Sequence, residues 1–153
     1  MNMTIKQIMS KNIYAISPSD SAVRAAQLMD QHDIGSIPIV SDGALKGILT
    51  DRDIVVRCVA KSMSPDSVKA SDIMTGRIAY ISENQPVSDA VSMMASEQIR
   101  RLPVVEDGVL VGMVSFADIA RRDTSPEIAE AISDISSSGL VDFDFVRQYD
   151  PHG

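Results

Sequence analysis

The sequence predicts a mixed α/β fold of the α+β kind, made of two tandem units of strand–helix–strand–strand–helix related by a pseudo-twofold axis. Three observations predict it: an internal repeat, a two-residue hairpin signal at the same place in both copies, and a helix-spaced apolar stripe ahead of each hairpin. Sliding the chain against itself gives one gapless register, from Ile8-Met9 on Ile73-Met74 to Arg57 on Arg122, with about 17 identities in about 50 pairs. Two copies argue against a solenoid, which needs more, and for a pseudo-symmetric pair.

Each copy opens on a short apolar run, Ile13 to Ile16 or Ile78 to Ile81, read as a strand and closed by Ser, Pro and Asp-type breakers. A helix follows whose apolar face recurs at i, i+3, i+4 and i+7: Ala22, Ala25, Ala26 and Met29 in the first copy, Val87, Ala90, Val91 and Met94 in the second. Two further apolar runs, Ile37 to Val40 and Leu45 to Leu49, are joined through Asp42-Gly43, a dipeptide that favours the tight hairpin turn. Asp107-Gly108 repeats this in the second copy. A last helix starts at Thr50 or Ser115 and carries Ile54, Val55 and Cys58, or Ile119 and Ala120.

The domain boundaries expected are 5–60 for the first unit, 61–69 for a polar linker centred on Pro65, and 70–122 for the second unit. Residues 123–153 form a tail with seven acidic residues and one basic residue, Arg147. In it Thr124 or Ser125 caps a helix with Pro126 in its first turn and Ile128, Ile132 and Ile135 on one face, read as packing on its own module.

The chain has 153 residues, 44% hydrophobic and 23% charged, enough to bury a core. A net charge of −7 argues against a duplex-DNA or anionic-membrane surface. Aromatics at 4%, with no Trp, leave too few stacking platforms for a single-strand nucleic-acid binder. Cys58 is the one cysteine and cannot form an internal disulfide, so it reads as a small buried apolar residue. The first ten residues carry no signal-type apolar run, and the expected location is cytoplasmic.

Two turns carry the chemistry. Gly47-Ile-Leu-Thr50-Asp-Arg-Asp53 and Gly112-Met-Val-Ser115-Phe-Ala-Asp118 both fit glycine, two apolar residues, Ser or Thr, two variable residues and Asp. One reading is a capping box, with the hydroxyl accepting an N–H and the carboxylate at the positive end of a helix. The other is a sugar-phosphate site. There Asp53 or Asp118 accepts the two hydroxyl protons of a ribose diol, Thr50 or Ser115 serves ribose or phosphate, and the glycine lets a ligand approach the backbone. In the second copy Arg100 and Arg101 open the buried strand, and guanidinium suits phosphate; the first copy has Gly35-Ser36 there. Arg52, Arg121 and Arg122 are further cations near the turns.

The repeated unit, the apolar-Pro-apolar-Val hairpin with its Asp-Gly turn, and the doubled turn resemble the CBS domain, and two in tandem resemble a CBS pair, or Bateman module. The resemblance covers about residues 5 to 122. It implies a regulatory module of two units packed by their sheets, with clefts between them that bind AMP, ADP or ATP, or in some members S-adenosylmethionine or NAD. It also implies a conformational change passed to a partner protein, and a homodimer of modules. Carried over by position, Asp53 and Asp118 hold ribose, Thr50 and Ser115 lie on ribose or phosphate, and Arg100 and Arg101 hold phosphate. Ile13, Tyr14 and Ala15, with Pro38, and Ile78, Ala79 and Tyr80, with Pro103, wall the adenine. The departure at Gly35-Ser36 favours the Ser115/Asp118 site as the first to be occupied.

No Ser-His-Asp order, phosphate-binding glycine-rich loop or paired-carboxylate motif is present, so no catalytic residues, no catalytic cofactor and no enzyme activity are expected. His32, at a helix end beside Asp33, reads as a C-terminal cap or solvated imidazole rather than a metal ligand. Met29, Met93 and Met94 read as core. The rival function is a ligand-free interaction module in which both turns are caps and nothing more.

Overall fold

The structure is a computed structural model that describes residues 3–122 together with 126, 128–130 and 133. In chain order the elements are α1 (Ile5–Ile8), α2 (Ala22–His32), β1 (Ser36–Ser41), β2 (Ala44–Thr50), α3 (Asp51–Arg57), a 3-10 turn (Val59–Lys61), α4 (Ala70–Ile73), α5 (Val87–Glu97), β3 (Arg101–Glu106), β4 (Val109–Ser115) and α6 (Phe116–Arg122). Ala44 of β2 pairs antiparallel with Val109 at the start of β4.

Both hairpins turn at the expected residues. Asp42 and Gly43 have φ of 52° and 81°, and Asp107 and Gly108 have 50° and 79°, the paired left-handed conformation that matches the twist of the flanking strands. β1 pairs antiparallel with β2 from Ser36 on Thr50 to Ser41 on Ala44, with an irregularity between Ile39 and Val40. The long helices also end alike. Asp33 and Gln98 sit left-handed past α2 and α5, and the N–H groups of Ile34 and Ile99 return to the carbonyls of Met29 and Met94.

The opening runs are not strands. Ile16 makes a single parallel bridge to Ile39, and Ile81 one to Val104. The N–H groups of Ile16 and Ile81 donate to the carbonyls of Pro38 and Pro103 at 3.1 and 3.0 Å. The next rung toward Tyr14 or Ala79 would need an N–H from those same prolines, which have none, so the ladder stops after one step.

The chain divides into two compact units, and neither coincides with one repeat. One holds Asn12–Ile78 and Val105–Leu110; the other holds Met1–Lys11, Ala79–Val104 and Val111–Gly153. Each unit therefore takes the short helical turn that precedes the other repeat: α4 belongs with the first repeat and α1 with the second.

In the first unit α2 buries Ala22, Ala25, Leu28 and Met29 against Ile37, Ile39 and Leu49 of the hairpin, with Ile54, Cys58, Val68, Ala70 and Ile73 completing the cluster. Ala26, expected on this face, is exposed, and Leu28 takes its place because the contact stripe turns toward the i+6 position. The segment before α4 is more than a polar connector. Val68 is buried and its carbonyl accepts the Ala22 N–H, while the Pro65 carbonyl accepts that of Val23.

In the second unit α5 buries Val87, Ala90, Val91 and Met94, as the periodicity predicts. They meet Leu102, Val104, Val114 and Ile119, with Ile5 and Ile8 of α1. Pro126, residues 128–130 and Ser133 are helical, and Ile128 is buried in this same cluster. That is the own-module packing expected of the tail; its cap at 124–125 and the residues Ile132 and Ile135 lie outside the described residues.

Candidate functional site

The first turn is built where β2 runs out. Thr50 stays extended while Asp51 becomes helical; its hydroxyl accepts the Asp53 N–H at 3.1 Å and the Asp53 carboxylate accepts the Thr50 N–H at 3.0 Å. The reciprocal box is closed, and Asp53 is the buried charged residue among those described. Its other oxygen lies 3.7 Å from the Arg57 guanidinium.

The second turn is built alike but left more open. Ser115 accepts the Asp118 N–H at 3.0 Å, but among the described residues the Asp118 carboxylate does not return to the Ser115 N–H and is held instead by Arg121. The Asp118 side chain is 28% exposed against 12% for Asp53, so the second carboxylate is the more accessible acceptor. Caps of this kind leave lone pairs unused, because an ionised carboxylate offers about four acceptor positions.

The glycines of the two turns serve another purpose than the one expected. A Cβ on Gly47 would stand 2.7 Å from Met74 Sδ and 2.8 Å from the Thr75 carbonyl oxygen; on Gly112 it would meet Met9 Sδ at 2.7 Å and the Ser10 carbonyl at 3.1 Å. The space is filled by protein, not left for a ligand. Ile48 and Thr75 exchange both backbone hydrogen bonds, and Met113 and Ser10 do the same. The arginines that end α3 and α6 hold these segments in place. Arg57 donates to the carbonyls of Ile73 and Met74, and Arg122 to that of Gln7.

Arg100 lies beside the second turn. Its carbonyl accepts the Phe116 N–H at 2.7 Å, and its guanidinium carbon stands 6.0 Å from the centre of the Phe116 ring, a cation–π distance. Arg101 opens β3 and is exposed. Arg121 and Arg122 are engaged as described above, and Arg52 is exposed.

Of the expected adenine walls, Pro38 and Pro103 are buried in the strands. Ile13 and Tyr14 are half-buried and Ala15 is exposed; Ile78 and Ala79 are half-buried and Tyr80 is exposed. Tyr14 has a partner that the sequence does not announce. Its ring stacks on His32, centroids 3.6 Å apart and planes at 16°, and its hydroxyl accepts the Asn12 amide. His32, the last residue of α2, is half-buried and stacks on the half-buried Tyr14. Cys58 is buried, as expected.

One relationship at the first turn escaped the motif, that between Gly35 and Asp51. The Asp51 N–H donates to the Gly35 carbonyl at 2.9 Å, the counterpart of the Phe116–Arg100 bond. Their signal is the 65-residue offset, which sets Gly35 against Arg100 and Asp51 against Phe116. Among the described residues no group of three or more His, Cys, Asp or Glu is placed to hold a metal ion, and no helix is long and apolar enough to cross a membrane.

Comparison with known proteins agrees with this architecture. The CBS-domain family model matches residues 5–59 and 70–125. The CBS domain-containing protein YhcV of Bacillus subtilis is 38% identical over 138 residues, covering 90% of this chain and 98% of its own. The crystal structure of Hypoxic Response Protein I, described with two coordinated zinc ions, is similar with a TM-score of 0.74 and 35% identity, over 79% of this chain and 99% of that one. The CBS domain pair of protein MJ0100, in complex with 5′-methylthioadenosine and S-adenosyl-L-methionine, gives a TM-score of 0.68 and 31% identity over 79% of this chain and 95% of its own. With both repeats matched and most of its length covered, the chain belongs to the CBS-domain family, as a protein built on a CBS pair.

Proposed function

We propose that this CBS pair is a non-catalytic regulatory module that binds an adenine nucleotide, AMP, ADP or ATP, and passes the resulting conformational change to a partner protein. The observation that carries this reading is the accessible Asp118 carboxylate beside the Ser115 hydroxyl, with the Arg100 cation held next to the same turn by Phe116. Asp118 takes the ribose hydroxyls, Ser115 lies against ribose or phosphate, and Arg100 and Arg101 take the phosphate. Ile78, Ala79, Tyr80 and the strand around Pro103 wall the adenine. At the first turn Asp53 and Thr50 play the corresponding parts, with Ile13, Tyr14, Ala15 and Pro38 around the base. The complex of a similar CBS pair with two adenosine compounds supports the ligand class. The functional halves are residues 5–60 and 70–122, joined by 61–69, with 123–153 as an acidic appendage; the module works in the cytoplasm as a homodimer.

Binding to the folded chain alone stabilises it, by ~2.7 kcal/mol at 100 times the dissociation constant. Calorimetry and thermal unfolding with AMP, ADP, ATP, NAD and S-adenosylmethionine test the reading. A rise in melting temperature with one of them supports it, and no heat and no shift at millimolar ligand overturns it. The closed Thr50–Asp53 box favours the second reading, a ligand-free interaction module, for the first turn in particular. Nucleotide absorbance at 260 nm in freshly purified protein separates the two, since the chain has no Trp.

A further inference from the structure

The two turns share a backbone, but the first sets the Asp51 carboxylate where the second has Phe116 with the Arg100 guanidinium over it. At the second, residue 100 is an arginine whose guanidinium lies over Phe116. At the first, residue 35 is a glycine, and the space its side chain would enter is taken by the Asp51 carboxylate: a Cβ there would stand 3.0 Å from Oδ2 and 3.7 Å from Oδ1. The same hydrogen bond, from residue 51 to 35 or from 116 to 100, fixes both pairs, so the difference lies in the side chains and not in the backbone. Asp51 Oδ1 accepts the Arg52 N–H at 2.8 Å, which keeps the carboxylate on this side of the turn.

We propose that Asp51 is a specificity residue that bars phosphate from the first turn, so that this site takes an adenosine compound bearing a neutral or cationic group at its 5′ position while the second turn takes the phosphorylated one. The inference rests on the adenosine-binding reading above and deepens it. A phosphate beside a carboxylate is repelled where a guanidinium would attract it, and at half-exposed sites one such contact is worth about tenfold in affinity.

Three probes with one nucleoside core separate charge from shape: 5′-amino-5′-deoxyadenosine, adenosine and AMP. They are titrated calorimetrically into the full chain carrying Asp118→Asn, which weakens the second site and leaves the first. The expected order of affinity is amino compound, adenosine, AMP, with AMP about tenfold or more below adenosine. Adding Asp51→Asn brings AMP to within about threefold of adenosine and removes the advantage of the amino compound; Asp51→Ser, which also removes the charge, gives the same result. AMP binding as tightly as adenosine with Asp51 intact, or an order unchanged by either Asp51 variant, overturns the proposal. Failure of all three probes to bind the unaltered chain overturns the adenosine reading itself.

Discussion

Met74 Sδ rests against Gly47 so closely that a methyl group on the glycine would stand 2.7 Å from it, and Met9 stands in the same relation to Gly112. Substituting either glycine must displace a thioether and a carbonyl-bearing backbone at once. Gly47→Ala and Gly112→Ala are each expected to lower stability by about 1 to 3 kcal/mol, the usual cost of overpacking. Gly76, with nothing within 4 Å of a Cβ, is the control, and Gly76→Ala is expected to leave stability within about 0.5 kcal/mol. Urea midpoints of the three variants check this.

Arg122 is expected to matter through the chain's opening turn. Its guanidinium donates to the Gln7 carbonyl, so Arg122→Met loses about 1 kcal/mol and raises amide exchange in residues 5–10. Arg57→Met does the same for residues 70–75, where it holds two carbonyls. Exchange confined to α6 or α3 in these variants would refute the anchoring role.

Gln98 holds φ near 53° with a full side chain, exposed to solvent at the end of α5. Gly accepts that conformation without the Cβ clash, so Gln98→Gly is expected to stabilise the protein by roughly 0.5 to 1 kcal/mol despite the looser unfolded chain. Thermal unfolding measures the sign.

Asp118→Ala is expected to cost more nucleotide affinity than Asp53→Ala, and Asp53→Ala more stability, by about 1 to 2 kcal/mol, because it opens a closed capping box. Calorimetric titration and urea unfolding of both variants give the two rankings. Equal losses of affinity would refute the asymmetry.

Much of this was legible because the signals are local. Asp42-Gly43 and Asp107-Gly108 name their turn, Thr50 and Ser115 name the helix starts, and the spacing from Val87 to Met94 names a buried face. The unread features are non-local or concern what is missing. The opening runs have strand composition, but whether they pair depends on the absent N–H of a proline some twenty residues away. Ala26 and Leu28 compete for the same stripe, and only the hairpin opposite decides between them. The glycines of the turns suggested room for a ligand because a sequence does not show which segment comes to fill the gap. At the site itself, the Tyr14–His32 stack joins residues whose spacing carries no pattern. The Gly35–Asp51 pair becomes visible only against its counterpart in the other repeat.

The exchange of short turns between the repeats also sets a timetable for synthesis. The unit around the first repeat lacks its last piece until Val105–Leu110 has been made, and the unit around the second uses a segment ahead of the first repeat, in which Ser10 waits for a partner as distant as Met113. Neither half can complete itself as it emerges, so closure of both falls late, after nearly the whole pair has been translated, and contacts of long sequence separation set its pace.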